Sequence, residues 1–595
     1  MKLLNIISPK NNNHRSIFFL FFLFIIGLLL RTYGLNWDQN YHLHPDERMI
    51  TMVTTDISVP QSSRLLDIFS PDSTLNPKFF AYGSLPIYLL KFSGYIFSHL
   101  DPLFSSYDKI NLLGRLISAI FDSSTIILVF LITKQLFFSD KKALFASLFY
   151  TLSVLPIQLS HFYAVDTLLT FFICFTLYRI ILFYRHPSLK NAILIGISFG
   201  LSLATKISAT VLIVAFGISL FIEALLVLKR EIFVQKINTF KKTKIYLSSI
   251  LNPKFWIKNK VFKLQKITLY FISTIIISFV TFIFFEPFAL FDFPTFWKQI
   301  NEQSVMTRNA FIFPYTLQYV GSVPYIFHLK NILLWGLGVP FAFTAFIGII
   351  VTFKKLFIGL TTPGNESSEG SQLIVFSFFI VYFLVVGRFD VKFMRYCLPL
   401  YPILSIFASS IIFSCSKIVK VSIIFLNLIW VISFLNIYNH PNTRVLATQW
   451  MIKNITAGST VLREHWDDGL PLGYDHKFNL SELTLYDSDL DPQKWTKINH
   501  QLGYADYLVI ASNRLYTPLQ KLTNCQKLPP DKCYTITAQY YQDLFSGQLG
   551  YTQVAEFTSY PSLFGVTIND QSADESFTVY DHPKVIIFRN DNLKK

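Results

Sequence analysis

Two adjoining stretches decide the reading of this chain: "SIFFLFFLFIIGLLL" (Ser16–Leu30) and "GLNWDQNYHLHPDERMITMV" (Gly34–Val53). The first is apolar throughout, as a segment crossing the hydrocarbon core must be. The second gathers His42, His44, Asp46, Glu47 and Arg48 where the first span leaves the bilayer. Asp46 and Glu47 are neighbours, so their side chains point apart on any regular element. At most one of them faces a given substrate.

Composition agrees with the membrane reading. Of 595 residues, 52% are hydrophobic, 17% aromatic and only 15% charged, against about 25% charged in soluble domains. Mean hydropathy is +0.43. The net charge of +16 lies mostly between apolar runs, so it reads as a topology signal and not as a nucleic-acid surface. The basic flank before the first span is followed by no small-residue cleavage site, which predicts a retained signal anchor.

Apolar runs predict about eleven spans, at 16–33, 114–137, 142–160, 166–184, 191–205, 207–228, 268–288, 331–352, 372–387, 397–414 and 421–438. A cytoplasmic N-terminus then puts Lys141-Lys142, Arg185 to Lys190, Lys354-Lys355 and Lys417 with Lys420 in cytoplasmic loops, together with the very basic 229–266 segment. The first loop (35–110) falls outside, its apolar patches "RLLDIF" and "SLPIYLLKFSGYIFSHL" reading as interfacial helices. A polar tail, 439–595, falls on the same side. Its strand-like runs "STVLREH", "DYLVIAS" and "ESFTVYDHPKVIIFRN" predict a small extracytoplasmic α/β domain beyond the transmembrane domain 1–438. Cys525 and Cys533 would pair only in an oxidising compartment, and the sequence leaves both states open. The acids of "REHWDDGLPLGYDH" read as turn and surface residues.

Other ionisable residues are expected at the depth of the opening motif. They are Arg115 at the start of the second span, His161 and Asp166 at the fourth, Lys206 between the fifth and sixth, and Arg395 before the tenth. Charges at membrane depth are costly and face a protein interior or a wet cavity. Together they outline a cleft in which cations hold a phosphate and an acid takes a proton from a hydroxyl.

The motifs "HPDER", "GRLISAIFDSSTIILVF", "HFYAVDTLLTFF", "GLSLATKISATV" and "FMRYCLPLYPIL", in this order, resemble the GT-C superfamily of polyprenyl-phosphate-sugar-dependent glycosyltransferases. Within it they resemble the protein O-mannosyltransferase-like and aminoarabinose-transferase-like branch. The resemblance implies a catalytic base at Asp46 with Glu47 in support, and donor-phosphate ligands at Arg115, Lys206 and Arg395. His44, Tyr82, His161 and Asp166 are expected on the acceptor side. It implies no divalent metal, and as partners a lipid-linked sugar donor and a protein, lipid or glycan acceptor in the plasma (inner) membrane. Sugar transfer with inversion is the expected activity. A flippase moving the same lipid, or a scaffold acting through its tail, are the alternatives.

Overall fold

The computed structural model describes residues 12–60, 65–234, 262–359 and 366–593. The basic segment expected at 229–266 lies for the most part outside them. Among the described residues nine helices are long and apolar enough to cross a membrane, ten if one bent pair counts as a single span. An apolar helix of 17 residues, Leu189–Thr205, is shorter than that measure. The chain is thus a polytopic helical membrane protein with an α/β domain at its C-terminal end.

The elements that position the site are α1 (Asn12–Thr32), α2 (Pro45–Asp56), α3 (Leu65–Ile68), α4 (Ser84–Phe97), α5 (Tyr107–Phe137), α6 (Asp140–Thr151), α7 (Val154–Ser160), α8 (Asp166–Arg185), α9 (Leu189–Thr205) and α10 (Leu212–Val234). Each expected span coincides with a helix, with two differences. The expected 142–160 span is broken into α6 and α7, bent by 56°. A continuous helix would drive the ring of Pro156 into the carbonyl of Leu152. The break frees that carbonyl, which accepts a hydrogen bond from Asn427 Nδ2 at 2.9 Å. The expected 331–352 span starts late, at Val339. A short helix and a π turn precede it, and Gly338 at φ +82° makes the corner that a side chain would strain.

The tail forms a sheet from β1 (Thr460–Glu464), β2 (Asn479–Leu483), β3 (Tyr507–Ile510), β4 (Tyr551–Phe557) and β7 (Val585–Asn590), in the order β2-β1-β3-β7-β4. β2, β1 and β3 are parallel, and β7 runs antiparallel to both of its neighbours, β3 and β4. A separate hairpin joins β5 (Ser562–Leu563) to β6 (Val566–Thr567). In the run "ESFTVYDHPKVIIFRN" only the last six residues are a strand, and Glu575–Thr578 is a helical turn. Asp574 caps that turn through its carboxylate. Cys525 and Cys533 are joined by a disulfide with Cα atoms 5.3 Å apart, inside the range a bridge requires.

The tail is fastened to the helices by buried polar contacts. Asp574 accepts from the Met394 amide at 2.6 Å and the Tyr319 hydroxyl at 3.1 Å. Asp581 accepts from Tyr438 at 2.8 Å and from Gln158 of α7 at 3.0 Å. His582 sits between Asp581 and Asp570, at 2.5 and 2.8 Å. Burial opposes its charge, but the two carboxylates win and push its pKa up to about 10. A charged His582 neutralises part of that acidity, which is how the seam tolerates it.

Candidate active site

The site begins at the N-terminus of α2. His44 is extended (φ −95°, ψ 113°) and its Nδ1 accepts from the Glu47 amide at 3.3 Å. Pro45 follows at the first helical position, where its missing N–H costs nothing. Asp46 and Glu47 lie in the first turn, where the helix dipole favours anions. The turn sends them in opposite directions, Asp46 into a cavity and Glu47 into the protein interior.

The cavity measures about 1040 Å³ and lies between the end of the helical bundle and the tail. Asp46, Tyr82, Asp166, Lys206, Arg395 and Tyr396 line its membrane side. Arg395 ion-pairs with Asp46, whose side chain stays 22% exposed. Burial would raise the Asp46 pKa, but Arg395 and His44, with a hydrogen bond from Tyr82, outweigh it. The carboxyl is held well below the usual carboxylate range. Arg395 Nε also lies 4.0 Å from Asp166 Oδ2. The other oxygen of Asp166 accepts from Lys206 Nζ at 3.1 Å. Lys206 lies 5.4 Å from the Tyr82 ring and 5.1 Å from that of Tyr396, within cation–π reach. Acids and bases therefore alternate as Asp46, Arg395, Asp166, Lys206.

Asp166 opens α8 directly after Val165, which is left-handed at φ +43°. A β-branched residue is strained there, and such strain is found where surrounding structure holds a functional segment in place. Asp166 Oδ2 and Arg395 Nε are buried without hydrogen-bond partners among the described residues. Each retains capacity for a ligand.

Glu47 and Arg115 build a different cluster, set back from the cavity that Asp46 lines. Arg115 is fully buried. Its Nε and Nη2 contact the Glu47 carboxylate at 3.0 and 2.6 Å. Nη1 and Nη2 contact Asp38 at 2.9 and 2.7 Å, and Nη1 also reaches the Leu35 carbonyl at 2.9 Å. The five N–H donors of a guanidinium are thereby spent, and Trp37 covers its face at 4.9 Å. Nothing is left for a phosphate. Burial pushes the Glu47 carboxyl up, with Arg115 opposing. At Asp38 burial acts the same way, but Arg115 prevails and the carboxyl is lowered.

The two histidines also lie outside the cavity lining. His161 is buried with its ring nitrogens each 2.8 Å from a carbonyl oxygen, of Ile157 and of Tyr33, and stacks on Tyr438 at 4.1 Å. His44 is packed between Phe162 and Tyr580, and burial drives its pKa down to about 3. Both hold structure behind the cavity wall. Asp122, deeper in α5, is tied to Arg31 at 2.5 Å and Tyr150 at 2.6 Å, locking α1, α5 and α6 together.

The tail supplies the facing wall, including Glu464, Asp467, Asp468, Arg514 and Tyr580. The acids of "REHWDDG" are therefore not surface residues. Glu464 is buried against the Tyr541 hydroxyl at 2.7 Å. Burial pushes its pKa up to about 8. Asp467 pairs with Arg444 at 2.6 Å, and Asp468 with Arg48 of α2 at 2.7 Å. The available signal was the density of acids beside a Trp and a Gly at the end of a strand.

Residues 106–251, about a quarter of the chain, match the family described as dolichyl-phosphate-mannose-protein mannosyltransferase. No curated protein sequence matches. Among solved structures, the chain is similar to the oligosaccharyltransferase AglB from Archaeoglobus fulgidus in complex with an inhibitory peptide and a dolichol-phosphate. The TM-score is 0.45 at 13% identity, over 98% of this chain and 89% of that one. It is also similar to ArnT from Cupriavidus metallidurans bound to undecaprenyl phosphate, with a TM-score of 0.40 at 12% identity, over 86% and 95% of the two chains. The family match runs through the segment that carries Arg115, Asp166 and Lys206.

Proposed function

We propose that this protein transfers a sugar from a polyprenyl-phosphate-linked donor to an acceptor hydroxyl. The observation that carries the reading is the alternating cluster Asp46, Arg395, Asp166, Lys206 on the wall of one large cavity at the end of the bundle. Lys206 and Arg395 bind the donor phosphodiester by charge-assisted hydrogen bonds. These two cations supply the positive charge, and no divalent metal is invoked.

In the free protein Asp46 is a weak base, because Arg395 stabilises its charge. A donor phosphate that draws Arg395 toward itself relieves Asp46 of that partner and raises its basicity. Base and leaving-group stabilisation are thus coupled through one guanidinium. The acceptor oxygen then attacks the anomeric carbon and its proton passes to Asp46. The bond from the anomeric carbon to the phosphate oxygen breaks, and the electron pair leaves with the polyprenyl phosphate. Phosphate departs without protonation, so one carboxylate suffices and a single displacement inverts the anomeric centre. Tyr82 and Asp166 orient this arrangement.

The site is assigned to the non-cytoplasmic face of the plasma (inner) membrane. The Cys525–Cys533 disulfide supports an oxidising surrounding for the tail, and the basic loops between spans support a cytoplasmic N-terminus. In proteoliposomes supplied with a radiolabelled lipid-linked sugar, the wild type should form a covalent glycoconjugate and Asp46→Asn should not. Relocated but chemically unchanged lipid would make the protein a flippase, and undiminished transfer by Asp46→Asn would remove Asp46 from the chemistry.

A further inference from the structure

Within the polar tail, residues 559–568, "SYPSLFGVTI", carry no charge. They include the β5–β6 hairpin, whose register pairs Ser562 with Thr567 and Leu563 with Val566. That register leaves Phe564 and Gly565 as the two-residue connection, at φ +50° and +81°. Positive φ at both central positions is the requirement of a type I′ turn, which ordinarily selects Asn-Gly. A bulky aromatic residue is unfavourable at the first of these positions. Phe564 is nevertheless there, 97% exposed, with Val566 beside it at 69%. Fold stability gains nothing from either side chain in water.

The base of the hairpin is fixed beside the end of the last apolar helix. Ser562 Oγ accepts from Asn436 Nδ2 at 2.9 Å, and Asn436 directly follows the last apolar helix, Lys417–Leu435. Ser559 Oγ donates to the Ile437 carbonyl at 3.5 Å. On that helix Phe425, Leu428 and Ile432 are exposed and lie on one face, at spacings of three and four residues. In a spanning helix this face meets lipid. The hairpin starts where that lipid-facing surface ends.

From these observations we infer that the β5–β6 hairpin is a membrane anchor of the tail, inserting Phe564 and Val566 into the bilayer interface on the side of the active-site cavity. Aromatic and aliphatic side chains on an uncharged tip partition favourably there. The partner is the lipid surface itself. Its consequence is that the tail is held to the helices by its buried seam and to the bilayer by this tip, which steadies the cavity wall it supplies.

Spin labels at Phe564→Cys and, separately, Val566→Cys test this in the full-length chain, in a Cys415→Ser background. The protein is reconstituted in liposomes of phosphatidylethanolamine and phosphatidylglycerol. Leu490→Cys, at an exposed tail position, serves as the aqueous reference. Labels at 564 and 566 should collide with oxygen in preference to a nickel chelate, and the label at 490 should show the reverse. Chelate accessibility at 564 and 566 equal to that at 490 would overturn the inference. So would shielding from both agents that disappears on dilution with lipid, which would mean contact with a second copy.

Discussion

Asp46 and Glu47 are neighbours in sequence and opposites in structure. Asp46 lines a cavity, pairs with one arginine and stays partly open. Glu47 is sealed in the interior, where it, Asp38 and the Leu35 carbonyl together exhaust every donor of Arg115. Both clusters contain acids and a guanidinium at the same end of the bundle. The difference lies in spare capacity: one cluster has buried polar atoms without hydrogen-bond partners among the described residues, Asp166 Oδ2 and Arg395 Nε, and the other has a saturated cation. An ionisable residue at membrane depth is thus a ligand candidate only while its hydrogen-bond inventory is incomplete. Arg115 is then a positioning residue. By holding Glu47 it fixes the first turn of α2 and hence the direction of Asp46.

Substitutions should separate the clusters. The largest effect is expected for Asp46→Asn, a loss of transfer of about 10²- to 10⁴-fold with thermal stability near that of the wild type. Tm and turnover measured on one preparation check this, and a matching fall in Tm would move Asp46 to the structural side. Arg115→Met should do the converse. It leaves two buried carboxylates unpaired and should destabilise by about 3–5 kcal/mol, read as a lower Tm or poor yield. A stable Arg115→Met that merely bound donor more weakly would break the comparison.

Lys206→Met removes one charge-assisted contact, worth about 1.5–3 kcal/mol. The donor KM should rise about tenfold to a hundredfold, with acceptor KM little changed. The smallest effect concerns pH. Glu464 in the tail wall has its pKa raised by burial from 4.5 to about 8. The folded state therefore holds a proton that the unfolded state releases, and this group's contribution to stability falls as pH rises from about 4.5 to about 8. Glu464→Gln should be more stable than the wild type at pH 8 and lose that advantage toward pH 5. Equal Tm values across the range would show that Glu464 is not buried as protonated acid.

How far the sequence discloses this arrangement depends on the range of the interactions involved. Spans are written locally, in runs of about 20 apolar residues, so the expected spans fall on helices apart from the break within 142–160 and the late start of 331–352. Pro156 even marks the break between α6 and α7. The divergence of Asp46 and Glu47 is equally local, a matter of helical geometry. That Arg115 would meet Asp38 is not, because 77 residues separate them. Asp38 stands in plain view in "GLNWDQN", yet only tertiary packing selects it over the other acids nearby. The tail wall is harder still. Glu464 and Asp467 look like turn and surface acids until the sheet is folded against the bundle; the density of acids beside Trp466 and Gly469 is a local hint, but it does not say what they approach. His161 misled for the opposite reason. A polar ring beside a membrane acid suggests chemistry, but two backbone carbonyls and a tyrosine ring account for it.

The most direct test is a structure of the full-length protein in lipid nanodiscs with a polyprenyl phosphate bound. The phosphate is expected within hydrogen-bond distance of Lys206 and Arg395, with the Arg395–Asp46 contact lengthened and the Arg115–Asp38–Glu47 cluster unchanged. A phosphate held by Arg115, or one bound elsewhere with the Arg395–Asp46 pair intact, would contradict it.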